Sequence, residues 1–298
     1  MVENSSHNSQ STPDGDKNQV LIVGLLPFDS GKTTMACSLL REARERGLDV
    51  GVSKPLSSMS GWYQYSCVER SIQYGKLIGS DIYRLHEAAG STDPIEWEGP
   101  LVSLLMPPDP ERVDWESQEY LGLGLNLPSQ LVMTRVSSIH ETKHYCVPSN
   151  AERLTGVMRE EVNRVFSSVE NPVEVDLEFI NALLFNSYTI ADECVEHIIG
   201  KHDFVVVESY NNAAAPTAYS LNAQSVIAVA PGKAAFYSGE LYRKALTAVS
   251  SIKEPWKTTT EEILKLMRPF KTMELRPSST ENTRFEGILD SIVELRKS

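Results

Sequence analysis

Residues 19–36, QVLIVGLLPFDSGKTTMA, constrain this chain more than any other stretch. Four consecutive apolar residues, Val20, Leu21, Ile22 and Val23, carry the signal of a short buried strand and run into a turn and then Gly31-Lys32-Thr33-Thr34. The order matters as much as the composition. A strand delivers the chain to a turn whose N–H groups point inward as an anion cradle, and the next helix adds the positive end of its dipole. That helix is expected because Ala36, Leu39, Leu40 and Ala43 fall at i, i+3, i+4 and i+7, and Gly47 closes it. In such a phosphate-binding loop Lys32 neutralises the β/γ-phosphates and the Thr33 hydroxyl ligates Mg²⁺, while Gly24, Asp29, Ser30, Gly31 and Thr34 complete the cradle. The usual G-x-x-x-x-G-K-[ST] spacing would put its first glycine at Leu26, and the nearest glycine is Gly24, so the loop is lengthened or atypical.

The remaining chain supplies the sheet such a loop needs. A second short strand is expected at 49–53, and Pro55 stops it, leaving Lys54 at a strand's carboxyl end, where ligands bind in open α/β sheets. Helices are expected at 66–79 and 80–89, the second with Ser80 as N-cap and Asp81 as a dipole-compensating acid. The prolines of 94–108 argue for irregular structure. From 111 to 174 the α and β signals stop alternating, and this segment is read as an insertion: a strand at 131–136, a partner at 145–147 and a helix at 151–168. A helical region is expected over 175–200, and the runs at 204–207 and 225–230 are of the fully buried, parallel type. A last strand at 272–275 and a helix carrying Phe285, Ile288, Leu289 and Ile292 end the pattern. Residues 1–18 are too polar to offset the entropy of ordering and read as a tail. The fold class is therefore α/β, a three-layer, mainly parallel sheet with helices on both faces.

Glu208 ends the buried run at 204–207, where a second metal-side carboxylate is needed, since Mg²⁺ keeps waters and takes only one or two protein carboxylates. His140-Glu141-Thr142-Lys143-His144 matches the zinc protease pattern H-E-x-x-H, but its flanks read as strand and hairpin and not as one helical face. Leu121-Gly122-Leu123-Gly124-Leu125 lacks the third glycine of a dinucleotide motif, and Pro231-Gly232-Lys233 reads as a βα turn. No Asn-Lys-x-Asp occurs, which favours ATP over GTP. A formal net charge of −12 disfavours a nucleic-acid surface. Four widely spaced cysteines read as free thiols, and there is neither an 18-residue apolar run nor an apolar leader segment, so the expected compartment is the cytoplasm, with no membrane span.

The phosphate loop at 24–34, Val52-Ser53-Lys54-Pro55, the Ser80-Asp81 segment, the proline-rich stretch 94–108 and the strand ending in Glu208 together resemble a known family. This is the dethiobiotin synthetase and cobyrinic acid amide synthase group of P-loop ATPases, with a related set of archaeal ATPases of unassigned role. The likeness covers 19–108 and 203–248, about half the chain. It implies a P-loop NTPase fold, Mg²⁺ bound through Thr33, Asp81 and Glu208, Lys32 on the phosphates, and Lys54 facing both γ-phosphate and acceptor. It further implies that 274–277, Pro277 included, lies near the adenine, and that the acceptor is a carboxylate or carbamate. Homodimers are common in that group. Three features depart from its pattern: bulkier Ser209, Tyr210 and Asn211 after the glutamate, a displaced Ser60-Gly61, and the segment 111–174. The expected activity is ATP- and Mg²⁺-dependent γ-phosphoryl transfer to a small acceptor, with Lys32 and Lys54 catalytic. The alternative is a nucleotide-dependent switch acting on a protein partner.

Overall fold

The runs at 20–23, 204–207 and 226–229 are apolar at every position, so both faces of each strand must be covered. The computed structural model describes residues 18–250, 255–277 and 283–297; the expected tail lies outside them except for Asn18, which opens the first strand. The strands are β1 Asn18–Gly24, β2 Val50–Ser53, β3 Leu56–Ser60, β4 Leu101–Leu105, β5 Leu131–Ser137, β6 Thr142–Cys146, β7 Val173–Glu174, β8 Phe204–Glu208, β9 Ser225–Ala230, β10 Lys233–Ser238 and β11 Lys271–Glu274. They form two mixed sheets, one ordered β11-β10-β9-β1-β8-β2 and the other β3-β4-β5-β6-β7. The architecture is α/β.

In the first sheet β2, β8, β1 and β9 are parallel, and β10 and β11 add antiparallel. Alternate residues of β1 serve opposite cores. Val20 and Ile22 pack with the helices Lys32–Glu45, Ser80–Ala89 and Ile288–Lys297, whereas Leu21 and Val23 pack with Ser187–Lys201 and Gly239–Ser250. Each such fully buried aliphatic side chain stabilises the fold by about 2 kcal/mol relative to exposure. This sheet thus has helices on both faces, in keeping with a three-layer α/β arrangement. The parallel strands also share one carboxyl edge.

The second sheet was less visible in the sequence, and several expectations change here. The stretch 94–108 is not irregular: it holds the short helix Ile95–Glu98 and β4, because Pro94, Pro100 and Pro107 flank these elements without interrupting them. Pro55 ends β2, but the chain resumes at once as β3, parallel to β4 in the other sheet. Within 111–174 the expected strand pair is β5 and β6, and β5 also joins β4, extending a sheet begun by β3. Pro231-Gly232-Lys233 is not a βα turn. It joins the antiparallel pair β9 and β10, with Gly232 at φ 80°. The helix expected at 151–168 starts at Gly156, after Thr155 caps it, and 175–200 breaks at Asn186 into Leu177–Phe185 and Ser187–Lys201. The terminal helix starts at Ile288, so Phe285 precedes it.

The H-E-x-x-H segment spans the β5–β6 turn: His140 is exposed there, while His144 is buried on β6 and accepts from the Leu77 amide through Nε2 at 3.2 Å. Cys37, Cys67, Cys146 and Cys194 are free and buried. Among the described residues no helix is long and apolar enough to cross a membrane.

Candidate functional site

Three strands of the first sheet, β1, β8 and β2, end side by side, and each delivers one part of a site. From β1 the chain enters the loop 25–31. Ser30 closes it on itself, its hydroxyl donating to the Leu26 carbonyl at 2.9 Å and accepting from the Leu26 amide at 3.1 Å. Asp29 and Gly31 take left-handed conformations, φ 53° and 88°, and Gly31 leads into the helix Lys32–Glu45. Glycine at 31 is needed for that conformation. Gly24 is needed for space, since a β-carbon there would lie 2.7 Å from Ser30 Oγ and 2.9 Å from Lys32 Nζ.

No side chain caps the first turn of this helix and no acid lies in it, so its leading N–H groups and positive dipole end have no side-chain partner. Thr33 and Thr34 sit in that first turn. Lys32 folds back, is 8% exposed, and donates from Nζ to the carbonyl of Asn211 at 2.7 Å. Burial, and then the neighbouring Lys54 charge, hold the Lys32 ammonium below its ordinary value.

At the end of β8, Glu208 is 1% exposed and accepts from two sides through one oxygen. Thr33 Oγ1 donates to its Oε1 at 3.0 Å and Lys54 Nζ at 2.5 Å. Its second oxygen, Oε2, is buried without a partner. Lys54, just past the end of β2, also donates to the Ser209 carbonyl at 3.2 Å and lies 3.5 Å from Asp81 Oδ2. Burial works against the Lys54 charge, but Glu208 and then Asp81 more than offset it, and its pKa stands above the ordinary lysine value. Asp81 is half-exposed in the first turn of Ser80–Ala89.

Thr33, Lys54, Asp81 and Glu208 are thus joined by direct contacts or through Glu208, and Lys32, next to Thr33 in the chain, lies close enough to feel their charges while bonding the Asn211 carbonyl. Pro277 is separate. It is exposed beyond β11 on the same edge as the loop, with β9 and β10 between its strand and β1. Among the described residues no three His, Cys, Asp or Glu side chains converge as a ligand cage. The element that residue-by-residue reasoning missed is Asn211, which holds Lys32 through its backbone; a side-chain pattern carries no signal for that.

The donor set fits a phosphate ester with Mg²⁺ on three counts. The helix start is uncapped, Gly24 leaves the room that Lys32 and Ser30 fill, and Glu208 Oε2 is an orphaned acceptor beside a threonine hydroxyl. Comparison with family models, curated proteins and solved structures gave no match.

Proposed function

We propose that this chain is a P-loop ATPase that binds ATP with Mg²⁺ and transfers the γ-phosphoryl group to a small acceptor, in the manner of a ligase or synthetase. The observation that carries this reading is the meeting of Lys32, Thr33, Lys54 and Glu208 at one strand edge, in front of an uncapped helix start. The helix start and the loop amides would take the phosphate oxygens, and Lys32 would exchange its carbonyl partner for them. Mg²⁺, held by Thr33 and Glu208 with Asp81 nearby, would supply charge neutralisation on the phosphates. Lys54 shares Glu208 Oε1 with Thr33, its charge favoured by Glu208 and Asp81, and would steady both the transferred group and an anionic acceptor.

Phosphoryl transfer asks mainly for positioning and charge stabilisation, which two buried lysines and a helix dipole provide without a general base. Asp81, half-exposed and 3.5 Å from Lys54, marks the solvent side of this cluster, from which an acceptor would approach. Lys32→Ala is expected to abolish ATP turnover and weaken nucleotide binding, read by phosphate release and calorimetry. Wild-type affinity and turnover in that variant would refute the assignment.

A further inference from the structure

The contact between Lys32 and the Asn211 carbonyl uses the group that the nucleotide reading reserves for phosphate. We infer that Asn211 is a built-in resting partner of Lys32, that an anion bound there releases residues 209–213, and that the change is carried to the stack of Trp256 on Tyr188. This rests on the nucleotide reading above.

Asn211 is in the left-handed region, φ 43°, a conformation that asparagine tolerates better than most residues but does not prefer. The Lys32 bond of 2.7 Å helps to hold it there. The ammonium meets a full opposite charge on a phosphate oxygen but only a dipole on the carbonyl, so an anion is the better partner. The ligand therefore favours the state in which the carbonyl has let go, which is the differential affinity that any shift requires.

The loop cannot relax alone, because its next residues are stitched to the segment 256–260. Thr260 N donates to the Asn212 carbonyl at 2.7 Å and Ala214 N to the Thr258 carbonyl at 2.9 Å, with an antiparallel bridge between Ala213 and Thr259. Tyr210, beside Asn211, donates its hydroxyl to the Trp256 carbonyl at 2.8 Å. Trp256 in turn stacks on Tyr188 of the helix Ser187–Lys201, ring centroids 3.4 Å apart and planes 15° from parallel. A path of direct contacts thus runs from the phosphate lysine to an aromatic stack on another helix.

The test uses the full chain and MgATP, with binding followed by calorimetry and tryptophan emission recorded on the same samples. MgATP is expected to change the emission. Trp256→Phe should keep binding and lose the change, although Trp62, Trp97 and Trp115 remain. Tyr210→Phe should bind at least as tightly as the wild type with a reduced change. Binding without an emission change, a change that persists in Trp256→Phe, or one untouched by Tyr210→Phe would overturn the coupling and leave the nucleotide reading standing. Absence of MgATP binding by the wild type would overturn both. Should a variant fail to fold, hydrogen exchange on the wild type decides: amides of 209–214 and 256–260 should exchange faster with MgATP, and unchanged rates would refute the release.

Discussion

Two buried cations separate the two sheets. Lys54, at the end of β2, lies against Glu208 and Asp81, and these carboxylates hold its charge despite burial. Arg135, in the middle of β5, is also fully buried, but it donates only from Nη2, to the Gly99 carbonyl, and its Nε and Nη1 have no partner. Burial pulls Arg135 down to about 10, with Glu96 opposing. The difference lies in where each sits. A strand end, where loops and a helix start converge, gathers opposite charges around a cation, whereas the mid-strand Arg135 finds only a backbone carbonyl to bond. Lys54 is therefore a cation matched to its neighbours, as the proposed site requires, and Arg135 is a tie between β5 and the turn before β4.

The histidines repeat the contrast with opposite signs. His202 contacts Asp49 through Nδ1 at 3.0 Å and Asp93 through Nε2 at 2.7 Å, beside the first sheet. Burial opposes its charge, but these two hydrogen bonds outweigh that and raise it above its usual value. His144, inside the second sheet, is lowered to about 4, by burial first and then by Arg135 and Lys76.

The largest test of the contrast is Lys54→Met. Leaving Glu208 buried without its cation should destabilise the protein by about 3–5 kcal/mol in urea unfolding and abolish ATP turnover. A loss comparable to that of an exposed lysine would break the comparison. Next in size is the acid response of His144. Its folded pKa lies below the unfolded value, so stability is full above pH 6.5 and falls toward pH 4, by about 3 kcal/mol in all. His144→Gln should flatten that window in unfolding curves taken across the pH range; an unchanged slope would remove the buried neutral histidine from the account. His202 works the other way. Its stabilisation is complete below pH 6.5 and lost as pH rises through its raised folded value, so His202→Gln should matter less at pH 9 than at pH 6. Equal losses at both values would contradict the clasp with Asp49 and Asp93. The smallest effect belongs to Arg135→Met, expected within about 1 kcal/mol of the wild type because a poorly paired buried charge is exchanged for an apolar side chain of similar reach. A loss as large as that of Lys54→Met would mean that both cations are held alike.

The first sheet was legible in the sequence because its parallel strands are buried on both faces and read as unbroken apolar runs, as β1, β8 and β9 do. β3 reads Leu-Ser-Ser-Met-Ser and buries only Met59 fully, so nothing in its pattern marks it as a strand. β4 was masked by flanking prolines, and β10 by a Pro-Gly turn that serves a hairpin as well as a helix. No local pattern says which of two sheets a strand joins, which is why the second sheet emerged only in three dimensions. The site divides in the same way. Side-chain chemistry at strand ends pointed to Lys32, Thr33, Lys54 and Glu208, and family resemblance added Asp81 and Pro277. The Asn211 carbonyl is a backbone contact that any residue type could make.

The most direct test of the central claim is calorimetric titration of ATP, with and without Mg²⁺, into the wild type and Glu208→Gln. The account predicts binding that strengthens with Mg²⁺ in the wild type and loses that dependence in the variant. Absence of ATP binding, or binding indifferent to both the metal and Glu208, would contradict it.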